Sequence, residues 1–300
     1  MKFRTLGKTG LQVSVIGLGT HQFSGEWNQE FSASEVAGLL NRARELGVNF
    51  IDTAECYGDH RVEQLIGDAI RGRRDEWIVA TKFGHAYFGS PQKSDAWSVE
   101  QVGRQLDDSL RALQTDRIDL YQFHSGTNAE FDNAELWEML NRQVHAGKIR
   151  FLGLSLSAEV TMKGDHYQLH HAGKVNVAAV QAVYNRLQQK VAEEILPFCE
   201  QKNLGVLARV PLAKGFLGGG YKPGTIFPQK DTRSTYSQKF NDEQLRLAEE
   251  IRYKEVPPGQ NMAQWALAWC LKAKAVSSVI VGCKNLAQLA SNAAAAELIS

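Results

Sequence analysis

The chain has 300 residues, 43% of them hydrophobic, with 34 basic against 33 acidic side chains and a formal net charge of +1. That balance supplies no basic field for nucleic acid, and no apolar run reaches the length of a membrane span. The opening MKFRTLGKTG lacks the apolar core of a secretion signal, and Cys56, Cys199, Cys270 and Cys283 are scattered without metal-ligand spacing, so reduced thiols and a cytoplasmic location are expected.

Phe3-Arg4-Thr5-Leu6 and Leu11-Gln12-Val13-Ser14 flank a glycine-containing turn and predict an N-terminal hairpin. Eight short apolar runs follow: 14–19, 48–52, 77–82, 118–124, 149–155, 177–183, 204–210 and 277–282. Each has the length of a buried parallel strand. Helical patterns lie between them. The first follows the cap signal Ser32-Ala33-Ser34-Glu35, and others span 62–70, 98–113, 133–145, 191–202, 242–253, 259–272 and 286–298. Eight strand–helix units predict an α/β fold, a closed (β/α)8 TIM barrel with an N-terminal hairpin and extra helices, as one domain over 1–300. A doubly wound open sheet fits less well, because no GxGxxG opens the first helix. The spacing before the last strand is long and holds a glycine-rich loop over 210–240, which reads as a functional segment.

Barrel enzymes work at the C-terminal ends of their strands. Side chains alternate along a strand, so Val48, Phe50 and Asp52 share a face, as do Ile78, Ala80 and Lys82, and Leu120, Gln122 and His124. If the apolar members point inward, Asp52, Lys82 and His124 converge at the barrel mouth. A charge there requires a partner, and Asp52 with Lys82 supplies one. Tyr57 follows on a loop long enough to fold over the same mouth. Singly, a strand-end aspartate caps a loop and a strand-end lysine reaches solvent. Their joint placement favours a catalytic group.

At this point the sequence resembles the aldo-keto reductase superfamily, and within it the bacterial branch related to potassium-channel β subunits. GVNFIDTAECYGDHRVEQLIGDAI (47–70), ATKFG (80–84) and LDDSLRALQTDRIDLYQFH (106–124) are similar to its early landmarks. GKIRFLGLS (147–155), VQAVYN (180–185), PLAKGFLGGGY (211–221) and VGCKNLAQLASN (281–292) resemble later ones in the same order. The resemblance implies NADPH-dependent reduction of small aldehydes or ketones, with Tyr57 as general acid, Lys82 lowering its pKa, Asp52 holding Lys82, and His124 orienting the carbonyl. It also implies a cofactor site. Ser155 and Gln181 would lie near the nicotinamide, with Arg209 at the position that stacks on it, and Gly19, Thr20, Asp52 and Val210 would also contact the cofactor. Pro211, Leu212, Gly215 and Leu217 would lie by the pyrophosphate, and Gly282, Lys284, Gln288 and Asn292 by the adenine end. Lys284 beside a helix N-terminus suits a 2′-phosphate, which favours NADPH over NADH. A regulatory subunit that binds NADPH with little turnover is the alternative the same branch implies.

The sequence departs from the family pattern in three places. Leu156 stands where asparagine is common, Arg209 where an aromatic residue stacks on the nicotinamide, and Gln288 where a basic residue is frequent. Trp27, His85, Tyr87, Phe88 and Trp97 are expected to line the substrate pocket. His166, His170 and His171 show a spacing that can hold zinc, but no fourth ligand is evident, and no metal is expected. Cys56 beside Tyr57 reads as an ordinary thiol.

Overall fold

The computed structural model describes residues 1–25, 29–87, 94–229 and 231–299. Trp27 and Phe88, both expected in the substrate pocket, lie outside them.

Eight parallel strands close into a barrel in chain order: β1 (Ile16–Gly19), β2 (Phe50–Asp52), β3 (Ile78–Phe83), β4 (Ile118–His124), β5 (Ile149–Ser155), β6 (Val177–Val183), β7 (Gly205–Arg209) and β8 (Val276–Val281). Each matches one of the predicted runs to within two residues. Helices follow the strands: α1 (Ala33–Glu45), α2 (Arg61–Ile70), α3 (Val99–Ala112), α4 (Ala134–His145), α5 (Ala158–Lys163), α6 (Ile195–Gln201), α7 (Met262–Leu271) and α8 (Leu286–Ala294), with an additional helix over Gln238–Glu255 before α7. The cap signal at Ser32 is realised as a capping box with Glu35 on α1, and Ser98 forms another with Gln101 on α3. In α6 the pattern promised a start at Val191, but the helix begins at Ile195. Pro197 has no N–H to donate and is tolerated only in a first turn, so the helix cannot start earlier.

Alternation along the strands sorts two apolar layers. Phe50, Ala80, Leu120, Ala179, Leu207 and Ile280 fill the barrel interior, whereas Ile51, Val79, Tyr121, Leu152, Val180 and Val279 pack outward beneath the helices. The shared face predicted for Val48, Phe50 and Asp52 holds only from Phe50. Val48 precedes the strand and packs in the outer layer. The N-terminal hairpin pairs Phe3–Thr5 with Gln12–Ser14, and its Leu6, Leu11 and Val13 join the interior cluster. It therefore stoppers the barrel at the end where the strands begin. Gly7 requires its identity there. Its φ is +49°, and a Cβ would lie 2.2 Å from the Gly205 nitrogen. The opposite end is left for chemistry.

Candidate active site

Four inward positions at the strand ends carry polar groups that meet. Lys82 is 1% exposed. Its Nζ donates to Asp52 Oδ1 at 2.8 Å, to the Thr53 carbonyl at 2.5 Å and to the Tyr57 hydroxyl at 3.4 Å. The second Asp52 oxygen accepts Gln122 Nε2 at 3.1 Å and Gln181 Nε2 at 2.7 Å, while Gln181 also donates to Gln122 Oε1 at 3.1 Å. A buried ion pair is tolerated only when its remaining lone pairs and protons find partners, and here they do. Gln122 was not among the expected site residues. Its signal was a polar side chain at an inward strand position between Leu120 and His124.

Tyr57 lies on the turn after β2, with its ring 5.1 Å from the Lys82 ammonium and 4.7 Å from the His21 ring. The expected lowering by Lys82 is present, but it does not win. Burial pushes the Tyr57 hydroxyl up to about 12, with Asp52 adding to the rise, and the nearby ammonium offsets only part of it. Lys82 itself is raised, because the Asp52 carboxylate and Tyr57 together outweigh its own burial. The hydroxyl therefore holds its proton firmly, beside a permanent cation.

His124 is turned so that its Nδ1 lies 3.9 Å from Glu55 Oε1 and 3.9 Å from Cys56 Sγ. Its ring is 5.1 Å from that of His85. Glu55 is 1% exposed and accepts the His85 N–H at 3.0 Å. Burial pushes its carboxyl above the ordinary range. Sequence reasoning missed Glu55, because an acidic residue in a turn ordinarily faces solvent, and only the folded loop shows this one turned inward. Trp97 packs on Phe123 at 4.5 Å and meets His85 at 5.7 Å. His85 and Trp97 thus stand at the rim near His124, and His85 Nδ1 also contacts Asp95 at 3.0 Å. Tyr87 follows His85 by two residues.

On the far side of the mouth, Arg209 ends β7. Its Nη2 donates to the Leu156 carbonyl at 3.0 Å, but its buried Nε has no partner. The chain then makes a strained turn, with Val210, Ala213 and Lys214 at φ of 56°, 48° and 57° and Gly215 at 93°. Left-handed residues with side chains concentrate where a ligand or loop geometry demands them. Pro211 and Leu212 complete this turn, and Leu217 is buried beneath it. A strap returns over it. Arg233 is held by Asp231 through Nε at 2.8 Å and Nη2 at 2.6 Å. The same guanidinium lies over Tyr221 and Phe227 at 4.3 and 4.0 Å, and a Cβ on Gly215 would be 3.0 Å from it.

The end of β8 gathers the remaining positions. Asn292 Nδ2 donates to the Gly282 carbonyl at 3.2 Å, and Gln288 Oε1 accepts the Lys284 N–H at 2.9 Å. Gln288 and Asn292, one turn apart on α8, both meet the Gly282–Lys284 backbone. Gly282 abuts Gln22, whose buried Oε1 has no hydrogen-bond partner. At β1, Thr20 Oγ1 donates to the Asp52 carbonyl at 3.0 Å, and Gly19 pairs in register with Asp52. Ser155 is buried at the end of β5, opposite His124 in the β4–β5 register.

A model of the aldo/keto reductase family matches residues 15–299. The chain belongs to the aldo/keto reductase family. An uncharacterised oxidoreductase of Bacillus subtilis is 33% identical over 300 residues, covering 99% of this chain and 91% of that one. A plant chain from Arabidopsis thaliana, named as a probable voltage-gated potassium channel subunit beta, is 28% identical over 309 residues, covering all of this chain and 92% of its own. Among solved structures, the holo form of an aldo-keto reductase from Bacillus halodurans superposes with a TM-score of 0.79 at 27% identity, over 99% of this chain and 91% of that one. These findings agree with the branch the motifs resembled. They set the general role as that of an oxidoreductase of the carbonyl-reducing kind. No described helix is long and apolar enough to cross a membrane.

Proposed function

We propose that the chain reduces small aldehydes or ketones to alcohols with NADPH, using Tyr57 as the proton donor. The observation that carries this reading is the buried line Asp52–Lys82–Tyr57, closed at each step within hydrogen-bonding reach. A bound NADPH would supply the hydride, which no side chain can. Two buried polar atoms without partners, Arg209 Nε and Gln22 Oε1, border the strained turn and the Gly282 backbone, and such atoms suit a polar ligand laid between them. Ser155 and Gln181 would hold the nicotinamide end, the 211–217 turn the pyrophosphate, and Lys284 with Gln288 and Asn292 the adenosine end. Lys284 is the reason to prefer NADPH over NADH.

Tyr57 enters the reaction protonated, since its hydroxyl sits near 12. It gives up that proton to the carbonyl oxygen as charge develops there, and the Lys82 ammonium stabilises the phenolate left behind. Asp52 keeps Lys82 charged and in place. With Nδ1 turned toward Glu55, the opposite nitrogen of His124, Nε2, is the one that donates to the substrate oxygen and sets its approach.

A second reading, an NADPH-binding regulatory subunit with little turnover, draws on the likeness to the Arabidopsis chain. One experiment separates the two. Loss of NADPH absorbance is followed with a panel of small aldehydes for the parent and for Tyr57→Phe. The reductase reading expects turnover in the parent, a fall of about two to four orders of magnitude in the variant, and cofactor dissociation constants that agree within about twofold. Tight NADPH binding that no aldehyde drains supports the regulatory subunit, and undiminished turnover in Tyr57→Phe removes Tyr57 from the mechanism.

A further inference from the structure

The turn after β2 carries a second constellation that carbonyl reduction does not require. Glu55 uses Oε1 for the His85 N–H, but Oε2 is buried with no hydrogen-bond partner. A buried, unpartnered carboxyl oxygen is unfavourable when ionised, and it is relieved either by a proton held on the carboxyl or by a cation that meets it. Beside it, Cys56 Sγ lies 3.9 Å from His124 Nδ1, and that nitrogen is 3.9 Å from Glu55 Oε1. One ligand atom from each of the three residues lies within 4.8 Å of the other two, the one such trio among the described residues. Cysteine spacing along the chain gave no hint of it, because two of the ligands are adjacent in sequence and the third comes from β4.

We propose that Glu55, Cys56 and His124 form a binding site for a single zinc-class divalent cation. Carboxylate oxygen, thiolate sulfur and imidazole nitrogen are the donors such an ion prefers. Bond lengths of about 2.3 Å to sulfur and about 2.0–2.1 Å to nitrogen or oxygen put tetrahedral ligands about 3.3–3.6 Å apart. The two 3.9 Å contacts to His124 need to close by roughly 0.3–0.6 Å to reach that shell, and the Glu55–Cys56 ligand pair, which lies within 4.8 Å, by up to about 1.3 Å. On binding, the Sγ–H proton and any proton held by the Glu55 carboxyl leave to solvent, and the metal takes lone pairs from sulfur, Nδ1 and the carboxylate while the imidazole proton stays on Nε2. Thiolate and carboxylate offset the two charges of the ion, so the occupied site is neutral. Three protein ligands leave one tetrahedral position open.

The test uses the full chain without cofactor or carbonyl, so its outcome is independent of the reductase reading. The protein is dialysed against cobalt(II) or zinc, and bound metal is measured per chain together with the near-ultraviolet spectrum. One metal per chain is expected, with a thiolate-to-cobalt charge-transfer band. Cys56→Ser keeps the volume of the side chain, and in it the band disappears and zinc binds at least about tenfold more weakly. Glu55→Gln weakens zinc while retaining the band, and where that buried change prevents folding, the serine variant carries the test alone. His166 supplies the control. Its Nε2 is 2.7 Å from Glu194, with the His170 ring 6.3 Å away, the arrangement through which zinc would otherwise collect on an outer helix. The site is overturned if the parent holds no stoichiometric metal, if cobalt gives no thiolate band, or if binding survives Cys56→Ser and is lost in His166→Ala.

Discussion

The two halves of the barrel mouth are built on different principles. On the side of β2, β3 and β4, every charged group is carried by a strand end or the turn beside it. There Asp52 and Lys82 are saturated with partners, and Asp52 alone receives Lys82, Gln122 and Gln181. On the side of β7 and β8, the work falls to backbone. Three left-handed residues with side chains shape the 210–215 turn, and a local Asp231–Arg233 pair pins the strap over it. Buried polar atoms without hydrogen-bond partners occur in both halves, Arg209 Nε and Gln22 Oε1 here and Thr53 Oγ1 and Glu55 Oε2 in the turn after β2. On the proposed function, the groups joined by Asp52 are fixed before any ligand arrives, whereas the backbone-built side, where the cofactor is proposed to lie, would adjust on binding. A proton donor must be held within a fraction of an ångström, and a long dinucleotide tolerates adjustment along its length.

The sharpest way to break this comparison is to cut one ion pair in each half. Lys82→Met leaves the Asp52 carboxylate buried without its cation, which is expected to cost about 3–5 kcal/mol of stability in urea unfolding. Arg233→Met removes an even shorter pair, at 2.6 Å, but Asp231 sits on a loop strap that can open locally and hydrate it. Its loss is expected to stay below about 2 kcal/mol, with faster hydrogen exchange confined to residues 213–240. Equal losses in the two variants would show that the strap is as much a part of the frame as the strands.

A second expectation concerns Arg209 at the seam between the halves. Burial draws its guanidinium below the ordinary value, while Tyr57 and Asp52 pull the other way. A cation there disfavours the positively charged oxidised nicotinamide relative to the reduced one. Arg209→Tyr should tighten NADP⁺ relative to NADPH by about tenfold, or ~1.4 kcal/mol. Titration of both cofactor forms by fluorescence measures it, and an unchanged ratio would show that the guanidinium does not sense the ring.

How much of this was legible in the sequence follows the same division. The eight strands could be placed within two residues because each is a short apolar run bounded by turns. Alternation then put Asp52, Lys82 and His124 at the mouth from residue parity alone. Tyr57 could be placed on the loop beyond Asp52, but its role came only from the family resemblance of residues 47–70, since a loop residue has no periodicity to fix its direction. The direction of its pKa was misread for a related reason. The neighbouring lysine is visible in the sequence, but the degree of burial that outweighs it is a property of the closed loop. Glu55 was missed on the same ground, and the convergence of Gln288 and Asn292 on backbone was hidden because helical spacing gives a face without naming what the face meets.

The smallest effect is also the finest probe of the comparison, because the same methyl can be added in both halves. At Gly17, inside β1, a Cβ would lie 2.7 Å from Phe50 Cδ1 and 3.0 Å from Ser278 Oγ. Phe50 is fully buried in the barrel interior and cannot yield, so Gly17→Ala should lose about 1–3 kcal/mol through overpacking. At Gly282, the Cβ would come still closer, 1.7 Å from Gln22 Oε1, yet all three nearest atoms belong to the end of that one flexible side chain. That oxygen has no hydrogen bond to lose, and Gly282 is not among the glycines at positive φ. Gln22 should swing aside and leave stability within about 0.5 kcal/mol of the parent. What should change is the grip on the cofactor, because Gly282 also holds Asn292 through its carbonyl. A severalfold weaker NADPH dissociation constant with an unchanged unfolding midpoint is therefore expected for Gly282→Ala. If instead it unfolds as early as Gly17→Ala, the β8 end is packed as rigidly as the barrel interior, and the pliability assigned to the cofactor side does not extend to it.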